Sequence, residues 1–347
     1  MRFAQEERTR RVGQMGYSLS FKSYRLPMRQ PLRTAQGWWS EREGVIVRLE
    51  DKDGQMGWGE IAPISGWGGG DLSEAKAVLE RLGASPTGAE LSEIAAPGGC
   101  LGFALGAALG QLGGRLPSVH DYLPVAGLLP AGRDVLRAVE QKLEVGFRTF
   151  KWKVGVGDPR DEQVLLDDLL GNLPDGARVR LDANGGWDRR VAERWLEVCA
   201  ERPMIEFVEQ PTDPANKDLL LGLAGDFPTT LALDEAVIGK EDFEQWMELG
   251  WPGVFVLKPA LWGDPGELVA AVNGSTADVV ISSSLETGIG ARQVLEIAFA
   301  LPKLDRALGT GVWPLFSNTE LNGPSAVPFV RSTDIERLNP IVVWEAL

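Results

Sequence analysis

Six short apolar runs in the second half of the chain each end on residues that can do chemistry. They read FKWKVG, RLDANGG, IEFVEQP, LALDEA, VFVLKPA and VVISSSLETG. Their terminal side chains are Lys151 and Lys153, then Asp182, Glu209, Asp234 and Lys258, then Ser282, Ser283 and Ser284. One carboxylate after a strand often only caps a helix or opens a turn. Six consecutive ends in the order Lys, Asp, Glu, Asp, Lys, Ser are not explained by capping and point to one convergent site.

Three carboxylates with no histidine or cysteine beside them form a hard, all-oxygen donor set. That set suits Mg²⁺, with Mn²⁺ the other cation it would accept, rather than Zn²⁺. Lysines flank it in sequence, and alternation turns Lys151 and Lys153 to one side of their strand and Trp152 to the other. With Trp152 packed against helices, both lysines face inward. A divalent cation stabilises the two negative charges of an enediolate, formed when a proton leaves the carbon beside a carboxylate. A lysine serves as the base if burial and neighbouring cations lower its pKa. The chemistry expected is therefore α-proton abstraction from a small-molecule carboxylate.

The elements that would position these residues repeat. Asp182, Glu209, Asp234 and Lys258 are 27, 25 and 24 residues apart (182 to 209, 209 to 234, 234 to 258). Each interval is one strand plus one helix. Strands are expected at Val125–Leu129, Thr149–Val154, Val179–Asp182, Ile205–Glu209, Leu231–Asp234, Val254–Lys258 and Val279–Ser282, with a weak one near Ala307–Gly309. Helices are expected between them, for example Arg133–Val145, Val191–Ala200 and Glu267–Val272. The pattern predicts an α/β fold, a (β/α)8-type barrel whose active-site rim is formed by the strand ends. The runner-up, an open doubly wound sheet, lacks a G-x-G-x-x-G after its first strand. Upstream, alternating strands and the turn Asp53-Gly54 precede helical runs at Leu72–Leu82 and Cys100–Leu112, an α+β unit. The expected division is a loose N-terminal extension at 1–16, an α+β capping domain at 17–117, the barrel at 118–315, and a segment at 316–347 that returns to the capping domain.

Bulk properties narrow the function. The chain has 347 residues and a formal net charge of −14, which disfavours nucleic acid and anionic membranes as partners. No apolar run is long enough to span a bilayer, and Met1–Gln14 lacks a secretory h-region. The two cysteines, Cys100 and Cys199, have no metal-type spacing, so a reducing, cytoplasmic setting is expected. His120 is the single histidine; beside Pro117 and Asp121 it reads as a loop residue rather than a catalytic base. Nothing in the sequence sets the oligomeric state.

The K-x-K at Lys151–Lys153, the carboxylates Asp182, Glu209 and Asp234, and Lys258 resemble the enolase superfamily in its muconate-lactonizing-like subgroup. Upstream, REG at Arg42–Gly44 and GWGEIAP at Gly57–Pro63 resemble that group's capping domain. The resemblance implies a modified (β/α)7β barrel. FKWKVG, RLDANGGW and ISSSLETGIG are most similar to the o-succinylbenzoate synthase family. That likeness implies dehydration of 2-succinyl-6-hydroxy-2,4-cyclohexadiene-1-carboxylate, with Lys153 as base, Lys258 opposite it at the enediolate and Lys151 as an assisting cation. It implies Asp182, Glu209 and Asp234 as Mg²⁺ ligands. Ser282, Ser283, Ser284, Thr287 and Gly288 would hold the succinyl carboxylate, helped by a helix N-terminus, with Asn184 and Arg180 in support. The loop from Ile61 to Gly70 would cover the mouth, with Trp67 as apolar cover and Gly68 among its hinges; Leu32–Trp39 is a second such loop. Two readings stay open beside this one: an N-acylamino acid racemase with the same opposed lysines, and a barrel that only binds a metal or ligand. Dipeptide epimerases carry D-x-D after strand eight, where this chain reads ALGTGVW.

Overall fold

The computed structural model describes residues 16–34, 37–64, 66–114 and 116–347. The extension expected at 1–16 therefore lies, up to residue 15, outside the described residues. Three antiparallel strands open the fold: β1 (Ser18–Thr34), β2 (Gly37–Glu50) and β3 (Met56–Ile61), in that spatial order. Three helices follow: α1 (Leu72–Leu82), α2 (Gly88–Ala95) and α3 (Gly99–Gly113). The small-residue face of α3 lies directly on β3. A Cβ on Gly57 or Gly59 would stand 2.0 Å from the carbonyl oxygens of Ala108 or Ala104. The glycines of GWGE are thus demanded by a helix packed closer than side chains allow.

The rest of the chain winds a curled parallel sheet. β4 (Tyr122–Pro124) leads into β5 (Gly127–Leu129), and then helix and strand alternate: α4 (Asp134–Val145), β6 (Thr149–Lys153), α5 (Pro159–Gly171), β7 (Arg178–Asp182), α6 (Arg189–Ala200) and β8 (Ile205–Glu209). The series continues with α7 (Lys217–Asp226), β9 (Leu231–Leu233), α8 (Lys240–Glu248), β10 (Val254–Leu257), α9 (Pro259–Trp262), α10 (Pro265–Asn273), β11 (Asp278–Ile281) and α11 (Gly288–Ala300). Strands β5 to β11 are hydrogen-bonded in sequence order. The weak strand expected at Ala307–Gly309 takes the form of two parallel bridges, Val125↔Leu308 and Ser282↔Gly309. They join the two edges of the sheet, which makes a (β/α)7β barrel. Asp158, Asp188, Asn216 and Asp264 cap the N-termini of α5, α6, α7 and α10, each accepting from one or two of the amides that the first turn leaves unpaired.

Most buried apolar side chains lie between the strands and the helix ring, with Trp152, Trp195 and Trp246 fully covered. Inside the barrel Phe207, Ala232, Val254, Val256 and Val280 form an apolar plug. After the barrel, β12 (Phe329–Arg331) pairs with β4, and a short turn of helix, α12 (Ser332–Ile335), leads to α13 (Pro340–Ala346). Lys22 Nζ donates to Trp344 O at 2.7 Å, and the Trp344 ring meets Trp58 edge-on at 5.6 Å. The chain end is thus held on the first sheet. Among the described residues no helix is long and apolar enough to cross a membrane. Both cysteines are buried and free, and His120 Nε2 lies 2.8 Å from Leu301 O in the loop after α11.

Candidate active site

Side-chain direction on β6 decides what can meet. Trp152 is buried against the helices, so alternation sends Lys151 and Lys153 to the barrel axis, and both line the pocket at the strand ends. Parallel register puts Lys153 beside Asp182, and Asp182 beside Glu209. Asp234 and Lys258 are the residues immediately after β9 and β10. Asn184, Ser282 and Ser283 share the pocket wall with an apolar side made by Trp39, Ile64, Trp67, Leu128, Leu285 and Val312.

Lys151 Nζ lies 2.9 Å from Asp182 Oδ2 and 2.6 Å from Glu209 Oε1, while Lys258 Nζ contacts Asp234 Oδ1. The electrostatics differ sharply between the two lysines. Burial works against the charge of Lys151, but Asp182 and Glu209 outweigh it and hold the pKa above the ordinary lysine value. For Lys258 burial dominates, the nearby Lys151 charge adds to it, and the pKa falls well below that value. Burial also raises Glu209, against the pull of Lys151. Glu235 is pushed up to about 7 by burial and by the charges of Asp182 and Glu209. The indole of Trp67 stands over Lys258 Nζ at 4.6 Å, an aromatic face toward a cation.

The structure does not bring every expected residue to this pocket. Thr287, Gly288 and Ser284 are buried away from it. The N-terminus of α11 is already occupied by a carboxylate of the first sheet: Glu60 accepts from the amides of Thr287 and Gly290 at 2.9 and 2.8 Å and from Thr287 Oγ1 at 2.6 Å. Tyr24 donates its hydroxyl to the same carboxylate at 2.6 Å. A carboxylate already seated on these amides leaves little room for a ligand's anion there. Ser282 and Ser283 do line the pocket, with Ser282 Oγ donating to Gly309 O and Ser283 Oγ donating to Glu286. Arg180 shares the inward face of β7 with Asp182 but lies a layer deeper. It pairs with Glu206 at 2.6 Å and donates to Ala307 O, and Arg306 completes the network. Gly68 faces Ile238 rather than the pocket. Trp39 of the second loop is on the pocket wall; the side chains of 32–38 lie outside the described residues.

Three residues matter that the strand-end pattern did not single out. Glu235 Oε1 accepts from Asn184 Nδ2 at 3.1 Å. Gln210 Oε1 accepts from the amides of Asp234 and Ala236, both at 3.1 Å, and so fixes the bend that presents Asp234. Glu162, in the first turn of α5, accepts from the amides of Gly155, Val156 and Gly157 at 2.8, 3.0 and 3.0 Å. It clamps the loop that follows Lys153. Glu235 and Gln210 each sit directly after a strand-end carboxylate, in DE and EQ; that adjacency was the available signal. Glu162 had none, because its partners are backbone amides.

Comparison with known proteins agrees with this fold. Residues 134–327 match a family model described as enolase C-terminal domain-like, and residues 18–109 match one described as MenC, N-terminal domain. The o-succinylbenzoate synthase of Thermosynechococcus vestitus is 40% identical over 84% of this chain and 91% of its own length. That of Pectobacterium atrosepticum is 32% identical over 93% of this chain and 98% of its own. A crystal structure of the o-succinylbenzoate synthase of Thermosynechococcus elongatus, with Mg in its active site, superposes with a TM-score of 0.81 at 38% identity, covering 95% of this chain and all of that one. The L-Ala-D/L-Glu epimerase of Bacillus subtilis superposes at 0.78 with 19% identity over 90% of this chain and 95% of its own, a likeness of fold.

Proposed function

The chain belongs to the o-succinylbenzoate synthase family of the enolase superfamily, and from that premise we propose that it dehydrates 2-succinyl-6-hydroxy-2,4-cyclohexadiene-1-carboxylate to 2-succinylbenzoate, a step of menaquinone and phylloquinone synthesis. The observation that carries the reading is the entry of Lys153 and Lys258 into one pocket from β6 and β10, with Asp182, Glu209 and Asp234 on the strands between. Two free, buried thiols support a cytoplasmic setting.

The donor set fits Mg²⁺. Asp182, Glu209 and Asp234 supply carboxylate oxygens, which a hard cation prefers. Two buried acceptors beside them, Asn184 Oδ1 and Glu235 Oε2, have no partner within the protein. Among the described residues no three His, Cys, Asp or Glu side chains are already gathered as a metal site, and Lys151 Nζ stands between Asp182 and Glu209. When bound, Mg²⁺ would stabilise negative charge on the substrate carboxylate as a Lewis acid.

Lys153 takes the α-proton. The bond from carbon to the departing hydroxyl then breaks on the same face, and Lys153 returns the proton to that oxygen, so water leaves and the ring becomes aromatic. Lys258, across the pocket, donates toward the charge developing on the substrate carboxylate. Lys151 holds Asp182 and Glu209 in place and presents a cation beside the ring. Trp67, Ile64 and Trp39 exclude water from that face, and Ser282 and Ser283 face the succinyl end. The residues at Gly309, Gly311 and Val312 of the pocket wall offer no carboxylate for a dipeptide ammonium, which disfavours epimerisation.

Mg²⁺-loaded protein mixed with the cyclohexadiene substrate should develop the ultraviolet absorbance of an aromatic product. Racemisation of N-acylamino acids without that product would replace the reading with a racemase. Turnover of neither, in folded and metal-bound protein, would leave a binding barrel.

A further inference from the structure

Arg42, in the REG segment of β2, is not used by the reaction, yet its guanidinium is buried at the seam between the first sheet and the barrel. Among the described residues its partners are backbone carbonyls. Nη1 donates to Pro63 O at 2.7 Å and Glu43 O at 3.2 Å; Nη2 donates to Ala62 O and, at 3.1 Å, to Ser284 O; Nε donates to Leu285 O at 3.2 Å. Among the described residues it forms no ion pair with a carboxylate. A buried cation is costly unless its donors are satisfied, and this one is satisfied only when two separate loops sit side by side.

Those loops carry the two apolar walls of the pocket. Ala62 and Pro63 lead into the turn in which Trp67 N donates to Ile64 O at 3.1 Å, and this turn holds the Trp67 ring over Lys258. Ser284 and Leu285 lead out of the strand-end segment containing Ser282 and Ser283, and Leu285 lines the pocket with φ at +65°. That backbone conformation is strained for a branched side chain and persists only where surroundings enforce it. Two carbonyls on each side, held by one rigid planar fork, fix the spacing between the walls. Lysine, with a single point of donation, could not do the same.

We propose that Arg42 is a positioning residue which sets the width of the substrate pocket by tying the Trp67 turn to the Leu285 loop, so that it governs binding of the distal, non-reacting part of the substrate and leaves proton abstraction to the lysines. The inference rests on the proposed dehydration only for its kinetic readout. In Arg42→Lys, KM for the cyclohexadiene substrate should rise by about tenfold or more while kcat stays within about threefold, the signature of lost uniform binding. Mg²⁺ affinity by calorimetry should not change. A fall in kcat with KM unchanged, or weakened Mg²⁺ binding, would overturn the proposal. A second measurement needs neither the variant nor turnover. In the unsubstituted protein, native-state hydrogen exchange in dilute denaturant should show the amides of Trp67 and Leu285 opening with one common free energy. Independent opening of the two would sink the idea even if the dehydration is confirmed; common opening would sustain it even if the dehydration fails.

Discussion

At the scale of single residues, Lys151 and Lys258, which share the pocket with Lys153, are not equivalent. Lys151 is held charged by Asp182 and Glu209, whereas burial makes Lys258 easier to deprotonate. Lys153 carries the proton transfer in the proposed reaction, so Lys153→Ala should lower kcat by roughly a thousandfold. Its Mg²⁺ affinity, measured by calorimetry, should stay within a few-fold, because the three carboxylates proposed to hold the ion remain in place. Retained turnover would move the base elsewhere. Trp67→Leu keeps an apolar cover but removes the aromatic face over Lys258, an interaction of about 1–2 kcal/mol when desolvated. A several-fold loss of kcat with unchanged melting temperature is expected, and an unaffected kcat would show that the ring serves only as packing.

At the scale of elements, two carboxylates outside the pocket hold its frame. Glu162 satisfies three consecutive amides behind Lys153. Replacement by Gln halves its acceptor oxygens and leaves buried donors unmet, at a cost of about 1–3 kcal/mol. Chemical denaturation of Glu162→Gln should show that loss, with kcat falling more than KM rises because the loop bearing Lys153 loosens. Glu60 binds the N-terminus of α11 from another sheet. Glu60→Ala should cost about 2–3 kcal/mol, through orphaned amides and the lost helix-dipole partner. A change under about 0.5 kcal/mol would mean that water replaces the carboxylate without penalty.

At the scale of the whole molecule, the charge cluster links stability to pH and to metal. Glu209 and Glu235 sit above their ordinary range, Glu235 at about 7. A carboxyl whose folded pKa exceeds its unfolded value, near ~4.3, binds its proton more tightly when folded. Its contribution to stability is therefore present at low pH and is lost as pH rises through the folded pKa. Lys258, lowered rather than raised, adds slope only above its own folded pKa. The melting temperature of protein treated with chelator should thus decline between about pH 5 and 7, and Mg²⁺ added at the upper end should restore it. Calorimetry in buffers of different ionisation enthalpy should also show proton release on Mg²⁺ binding. A flat melting profile, or binding without proton release, would contradict the cluster's electrostatics.

The sequence by itself determined the barrel, through the repeat of apolar strand and amphipathic helix, and it singled out the set of residues proposed to react. The spacing of Asp182, Glu209, Asp234 and Lys258 places one residue per repeat, and alternation around Trp152 orients the lysines. These are local signals, readable because a parallel strand buries both faces and ends at one rim. What only the tertiary structure decided are the contacts between distant segments. Glu60 and Thr287 lie 227 positions apart, so no local pattern could reveal that the α11 N-terminus, expected to hold the substrate, is filled by the chain itself. Arg180 shares the correct face of its strand, and only the ion pair with Glu206 shows that it belongs to a deeper layer. Arg42 and Glu162 act through backbone carbonyls and amides, which every residue carries. Such partners leave no mark in the amino-acid types and become visible only when the fold brings them within hydrogen-bond distance.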